Sequence, residues 1–311
     1  MIRTILVPLD GSVFGEHALP AALTLARKAN ARVHLVHAHQ RYDSPYAEMQ
    51  VFNETLDEQM LRQERAYLDL IKSRVEKAYP GVVTAMMREG NVAEVIKAQA
   101  NAVHADLIAM TTHAKGMFGR LWLGSNTDEV LRDCPVPVLL VHPKDKAPNL
   151  DDDVPFKHWL LPLDGTPLAE QILEPALTLG KLMHANYTLL RVVKPVMPVV
   201  LPMSPGSIGS VAQEMVLRVD DLQEQVSREA GEYLDTVAGR FRDQKLLTQI
   251  ALADEEQPGV GILNHAKSGI DAIALCTHGR RGLSRMFLGS VADKVVRGSL
   301  LPILVYRPKP H

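Results

Sequence analysis

The chain has 311 residues, long for one domain and comfortable for two, and 46% of them are hydrophobic. Lys and Arg number 34 against 36 Asp and Glu, a formal charge of −2 with no basic excess in either half, so a nucleic acid or an anionic membrane is not an expected partner. Two cysteines, Cys134 and Cys276, cannot build a disulfide framework, the opening MIRTILVPLD turns polar too soon for a signal peptide, and no apolar run nears the ~18 residues of a membrane span, so a cytoplasmic protein is expected.

Residues 2–9 (IRTILVPL) form a nearly continuous apolar run, expected to be a buried strand, and end at Asp10-Gly11-Ser12, where an acid and a helix-start signal coincide. Helical spacing follows over 13–29, a strand pattern over 32–38, and a long amphipathic helix over 54–79 that Pro80-Gly81 ends. Residues 82–88 read as a third strand, 92–103 as a third helix and 106–110 as a fourth strand. After the loop 112–125 (THAKGMFGRLWLGS) come a helical run around 128–132 and a fifth strand at 136–141. Strand–helix alternation of this kind implies a mainly parallel sheet with helices on both faces. The prolines and aspartates of 142–157 break the pattern, which sets domains at 1–143 and 157–311 around a linker at 144–156.

The pattern then restarts. TILVPLDGS (4–12) returns as HWLLPLDGT (158–166), and ALTLA (22–26) as ALTLG (176–180), both displaced by 154 positions. The loop 112–125 returns as THGRRGLSRMFLGS (277–290), displaced by 165. The second half has thus gained eleven residues, expected in a Pro-, Gly- and Ser-rich loop at 195–210. A repeat of ~150 residues is a duplicated domain, too long for a solenoid unit.

The loop 277–290 lies between an apolar strand (270–276) and a helical run (291–297). A helix N-terminus offers unpaired N–H groups and the positive end of a dipole, which suits a phosphate. Gly279, Gly282 and Gly289 allow sharp turns and close approach, Ser290 adds a hydroxyl, and Arg280, Arg281 and Arg285 add cations. The plainer reading is a glycine-rich surface loop with solvated arginines. Against it, both copies keep Thr-His and Gly-Ser in register, with nine residues between Gly-Ser and the position after Thr-His. If the first and fourth strands of each half flank a point where strand order reverses, Asp10 and Asp164 face the same crevices as these loops. Such an aspartate could hold a ribose hydroxyl or magnesium, or cap the following helix, and both roles are expected together.

These motifs resemble a tandem universal stress protein of the ATP-binding branch, whose loop reads G-x2-G-x9-G-[ST], and the resemblance spans both halves. It implies two five-stranded doubly wound α/β domains of the adenine-nucleotide alpha hydrolase-like type, each with a site for ATP, and with magnesium taken through Asp164 or Asp10. Carried over, the second site comprises Asp164, Val192 at the adenine-contacting position, Thr277, His278, Gly279, Arg280, Gly282, Gly289 and Ser290. The first comprises Asp10, Ala38, Thr112, His113, Gly124 and Ser125. The first motif glycine is Cys276 in the second half, whereas Thr111 and Ala114 replace both early glycines in the first. An alanine forced to positive φ costs about 1 kcal/mol or shifts the loop, although Gly116 and Gly119 could compensate in part. The second site is the one expected to hold ATP.

Other features carry less. His34, His37 and His39 could suggest a metal, but packed or solvated strand histidines are the expectation, and no metal ligand set is assigned. Cys276 is either a redox sensor or an inert buried thiol, the latter expected. The patterns G-x4-G-K-[ST] and G-x-G-x-x-G are absent. No general base pairs with a positioned nucleophile, so the family resemblance points to a stress-response or signalling nucleotide binder with little or no catalysis. The alternatives are a slow ATPase or nucleotidyl-transferring enzyme, and an interaction module with vestigial sites. The apolar fifth strands, at sheet edges in the resembled fold, should pair within the chain as a pseudo-dimer, and two chains could then associate further.

Overall fold

Apolar runs of four to eight residues separated by amphipathic stretches become strands and helices in the computed structural model, which describes residues 1–41, 50–112, 123–197, 208–277 and 288–307. The first half runs β1 (Thr4–Leu9), α1 (Ala18–Ala29), β2 (Arg32–His39), α2 (Gln50–Ala78), β3 (Val83–Glu89), α3 (Val92–Ala102), β4 (Leu107–Thr111), α4 (Ser125–Asp133) and β5 (Val138–Val141). The second half repeats it with β6 (His158–Pro162), α5 (Leu173–Met183), β7 (Asn186–Val193), α6 (Ile208–Arg242), β8 (Thr248–Asp254), α7 (Pro258–His265), β9 (Ala272–Cys276), α8 (Ser290–Gly298) and β10 (Ile303–Tyr306). Among the described residues no helix is long and apolar enough to cross a membrane.

The ten strands make one sheet in the order β3-β2-β1-β4-β5-β10-β9-β6-β7-β8. Neighbours are parallel except β5 and β10, which pair antiparallel with Leu139 opposite Leu304. The last strand of each half is therefore covered by the other, and the two five-stranded sheets are continuous. Successive residues of β1 point to opposite faces. Ile5, Val7 and Leu9 pack with Leu19 and Leu23 of α1 and Ile71 of α2, whereas Leu6 packs with Ile96 of α3 and Val130 of α4. Both apolar layers cross the junction, since Leu139 and Leu304 belong to the first and Leu140 and Ile303 to the second.

Three local features depart from the sequence pattern. The helix expected from residue 13 opens as a 3₁₀ turn at Gly15–His17 and becomes α-helical at Ala18. Pro20 explains the boundary, because a proline lacks the N–H that a helix interior needs and fits only the first turn; Pro175 stands at the same place in α5. The stretch 195–210, expected as loop, already belongs to α6 from Ile208, and its residues 198–207 lie outside the described ones. With 35 residues against 29 in α2, α6 takes part of the second half's extra length. The segment joining the halves, expected as a plain linker, is a strap tied to α1. Lys146 O lies 2.8 Å from His17 Nε2, Leu150 O accepts from Arg27 Nη2 at 2.8 Å, and Val154 N–H donates to Thr24 Oγ1 at 3.0 Å. Phe156 is fully buried and stacks on Trp159, ring centres 5.7 Å apart.

Candidate functional site

The sheet order puts β1 between β2 and β4, and β6 between β7 and β9, so each half has its reversal point where the repeated Asp-Gly turn stands beside the end of the strand that leads into the repeated loop. In the second half, Asp164 Oδ1 accepts the Thr166 N–H at 3.0 Å and the Thr166 hydroxyl at 2.6 Å. Thr166 Oγ1 in turn accepts the Ala169 N–H at 3.2 Å. Gly165 sits at φ +82°, a conformation that side chains other than glycine rarely adopt. Asp164 thus closes the turn before the helical segment and does not itself cap it, the expected capping role falling away: neither the 3₁₀ turn at Ala169–Ile172 nor α5 has a side-chain hydrogen bond from its N-cap residue. The first half repeats it: Asp10 Oδ1 accepts the Ser12 N–H at 2.9 Å and the Ser12 hydroxyl at 2.7 Å, with Gly11 at φ +81°. Its other oxygen, Asp10 Oδ2, is buried and has no hydrogen-bond partner among the described residues.

Beside Asp164 opens a cavity of about 1450 Å³. Its floor comes from the ends of β7 and β9, with Arg191, Val192 and Cys276, and Gly289 and Ser290 stand at one wall. The structure therefore brings Asp164, Val192, Gly289 and Ser290 to one space. Thr277 is buried beside it at the end of β9, its N–H donating to Tyr306 O at 2.9 Å and its hydroxyl without a partner among the described residues. His278, Gly279, Arg280, Arg281, Gly282 and Arg285 lie outside the described residues.

Gly289 is the residue before α8, at φ +93° and ψ 137°, and its carbonyl accepts the Asp293 N–H at 2.8 Å. A Cβ there would be strained, so the backbone shape of this helix start depends on glycine. Gly124, its counterpart before α4, has φ −62° and ψ 144°, which any residue adopts. The two cradles therefore differ in conformation as well as in motif.

In the first half the described candidates Asp10, Ala38, Thr112, Gly124 and Ser125 hold equivalent positions. Thr112 Oγ1 lies 3.2 Å from His142 Nδ1, and the Gly124 N–H donates to Thr112 O at 3.0 Å. His113, Ala114, Gly116 and Gly119 lie outside the described residues. His37 takes the place of Arg191: its Nδ1–H donates to Leu9 O at 2.9 Å, as Arg191 Nη1 donates to Leu163 O at 3.4 Å. The displacement of 154 already aligned these two residues, a signal that pattern reading passed over.

The histidine run is structural. His34 is buried between Thr84 Oγ1 and the Gln99 amide, 2.8 Å from its Nε2, and burial holds its pKa below the ordinary value. His39 is bonded on both ring nitrogens, to Glu64 Oε2 at 2.6 Å and Asp57 Oδ1 at 3.2 Å. Among the described residues no group of His, Cys, Asp and Glu is arranged to hold a metal ion.

Two acids at the second cavity are kept in their neutral forms. Burial, and secondarily the Asp164 charge, push the Cys276 thiol up to about 12. Burial, followed by the charges of Glu170 and Asp164, pushes the Tyr233 hydroxyl up to about 12 as well. Burial of the side chain and the raised thiol both favour the inert reading of Cys276 over the redox one.

The model of the universal stress protein family matches residues 1–142 and again 155–307. A universal stress protein of Thermus aquaticus is 34% identical over 143 residues, 45% of this chain and 99% of its own. YxiE of Bacillus subtilis is 29% identical over 153 residues, 49% of this chain and 99% of its own. Each corresponds to about half of the present chain. The solved structure of a universal stress protein from Archaeoglobus fulgidus superimposes with a TM-score of 0.65 at 17% identity, covering 98% of both chains, a likeness of fold. Two matches in tandem, on two copies of one doubly wound α/β unit, mean that this chain belongs to the universal stress protein family.

Proposed function

We propose that the second half binds an adenine nucleotide, ATP in particular, with its triphosphate at the start of α8 and its base toward Val192. The observation that carries this reading is the convergence of Asp164, Val192 and the glycine-dependent N-terminus of α8 on one open cavity of about 1450 Å³. Arg191 and Lys194 line the same space and supply positive charge. Asp164 would hold a ribose hydroxyl or the magnesium ion that accompanies the phosphates. The first crevice, with its ordinary backbone at Gly124 and its replaced loop glycines, would be the weaker of the two.

The chemistry favours holding the nucleotide over turning it over. Tyr233 and Cys276 hold their protons and do not serve as general bases, and of the cavity's carboxylates Asp164 is already engaged by Thr166. A cytoplasmic stress-response or signalling role, in which occupancy is the output, fits such a site. The direct test is acid extraction of the purified full-length chain, with calorimetric titration of ATP into nucleotide-free protein. Bound adenine nucleotide, or saturable ATP binding without accumulation of ADP, is expected. No nucleotide and no titration heat would overturn the reading, and steady ADP release would replace it with slow ATPase activity.

A further inference from the structure

The antiparallel pairing of β5 with β10 relates the halves by a local two-fold, so α4 and α8, equivalent helices on the same face, run in opposite directions beside each other. Asp128 of α4 accordingly feels the charges of Arg297 and Asp293 of α8. The C-terminal turn of α4 and the N-terminal turn of α8 then flank one cavity. Glu129, Arg132 and Asp133 line the second half's cavity opposite Gly289, Ser290 and Ala292.

We propose that the second nucleotide site is shared between the halves, with Arg132 of α4 reaching the phosphates that rest on the start of α8. This deepens the nucleotide reading and rests on it. The acidic neighbours are offset only in part: Lys97 lies 3.9 Å from Glu129 and 3.8 Å from Asp133 and is shared with Glu94 at 2.6 Å. Arg132 stands 3.4 Å from Asp128, a wider pair than the 2.7 Å between its counterpart Arg297 and Asp293. Its side chain is 28% exposed and lines the cavity, with Nε buried. A guanidinium offers a planar fork of donors that matches phosphate oxygens, and it can take a phosphate while keeping part of its contacts on α4. Nucleotide in the second half would then hold α4 of the first, making occupancy of one domain a property of both.

The test titrates ATP and, separately, adenosine into the full chain carrying Arg132→Gln or Asp128→Asn. Arg132→Gln should weaken ATP at the tighter site roughly five- to tenfold and leave adenosine unchanged, as loss of a charged hydrogen bond to phosphate requires. Asp128→Asn removes the same ion pair but keeps the guanidinium, so ATP should bind as well as before or better. Unchanged ATP affinity in Arg132→Gln overturns the proposal. Equal losses in both variants, or a parallel loss of adenosine, also overturn it, because Arg132 then serves only the helix contact. A wild-type chain that binds neither compound removes the nucleotide reading itself, and this inference with it.

Discussion

Arg74 Nη1 lies 2.7 Å from Glu16 Oε2, fastening α2 to the turn that follows Asp10. The duplicate pair, Arg240 and Glu170, has the same 2.7 Å separation and the same place after Asp164. Their surroundings differ. The Glu16 side chain is 5% exposed, whereas Glu170 is 20% and Arg240 56% exposed.

Removing one partner of an ion pair is expensive when the charge left behind is buried, and slight when water can replace the partner. Arg74→Ala should therefore cost about 2–4 kcal/mol, and Arg240→Ala about 1 kcal/mol or less. Urea midpoints of the two variants at neutral pH would measure the difference. Equal costs would show that Glu16 finds another partner or water.

The backbone at Gly289 makes a second asymmetry measurable. A Cβ at φ +93° is strained, so Gly289→Ala should lose about 1–2 kcal/mol. Gly124→Ala, at φ −62°, should change stability little. Gly289→Glu adds a negative charge where the triphosphate is proposed to rest and should abolish ATP binding, with a smaller fall for Gly124→Glu. From its place at a helix start, outside the core, Gly289→Glu would be expected to fold unperturbed. The positive φ instead predicts a lowered melting temperature as well, so binding must be measured well below it. Full ATP occupancy in folded Gly289→Glu would mean that the phosphates lie elsewhere.

Much of this was legible in the sequence because duplication prints the same apolar runs twice. PLDG recurs at the ends of β1 and β6, and LGS recurs before α4 and α8, which placed both crevices without a structure. The apolar strands at 136–141 and 301–306 also announced an edge that needed cover. What stayed hidden depends on tertiary neighbours. Nothing local shows that His39 meets Glu64 and Asp57, 25 and 18 residues away. Nothing local shows that Leu150 and Phe156, inside a Pro- and Asp-rich stretch, are buried against α1. The start of α6 at Ile208 was hidden by composition, since Gly209 and Ser210 are turn residues that a 35-residue helix overrides. Arg132 belongs to a cavity of the other half only because β5 and β10 meet antiparallel.

The last prediction follows from Cys276. Its thiol ionises near 9 when unfolded and is pushed up to about 12 in the folded chain, chiefly by burial. Below pH 9 both states keep the proton, and the stability contributed by the buried neutral thiol is fully present. As the pH rises above 9 the unfolded chain loses the proton first, so the unfolded state gains and folding stability falls until the folded thiol also ionises near 12. Wild-type melting temperature should therefore decline between pH 9 and 11, and Cys276→Ala should decline less steeply over the same range, with the other buried acids, Cys134, Tyr67, Tyr79, Tyr187 and Tyr233, contributing the remainder. Reaction with a colorimetric disulfide reagent checks the same point at pH 8. The native chain should release almost no chromophore over minutes, and the denatured chain should titrate two thiols, because Cys134 is buried too. Rapid modification of Cys276 in the native chain would show an accessible thiolate, and would return this residue to consideration as a redox sensor beside the nucleotide cavity.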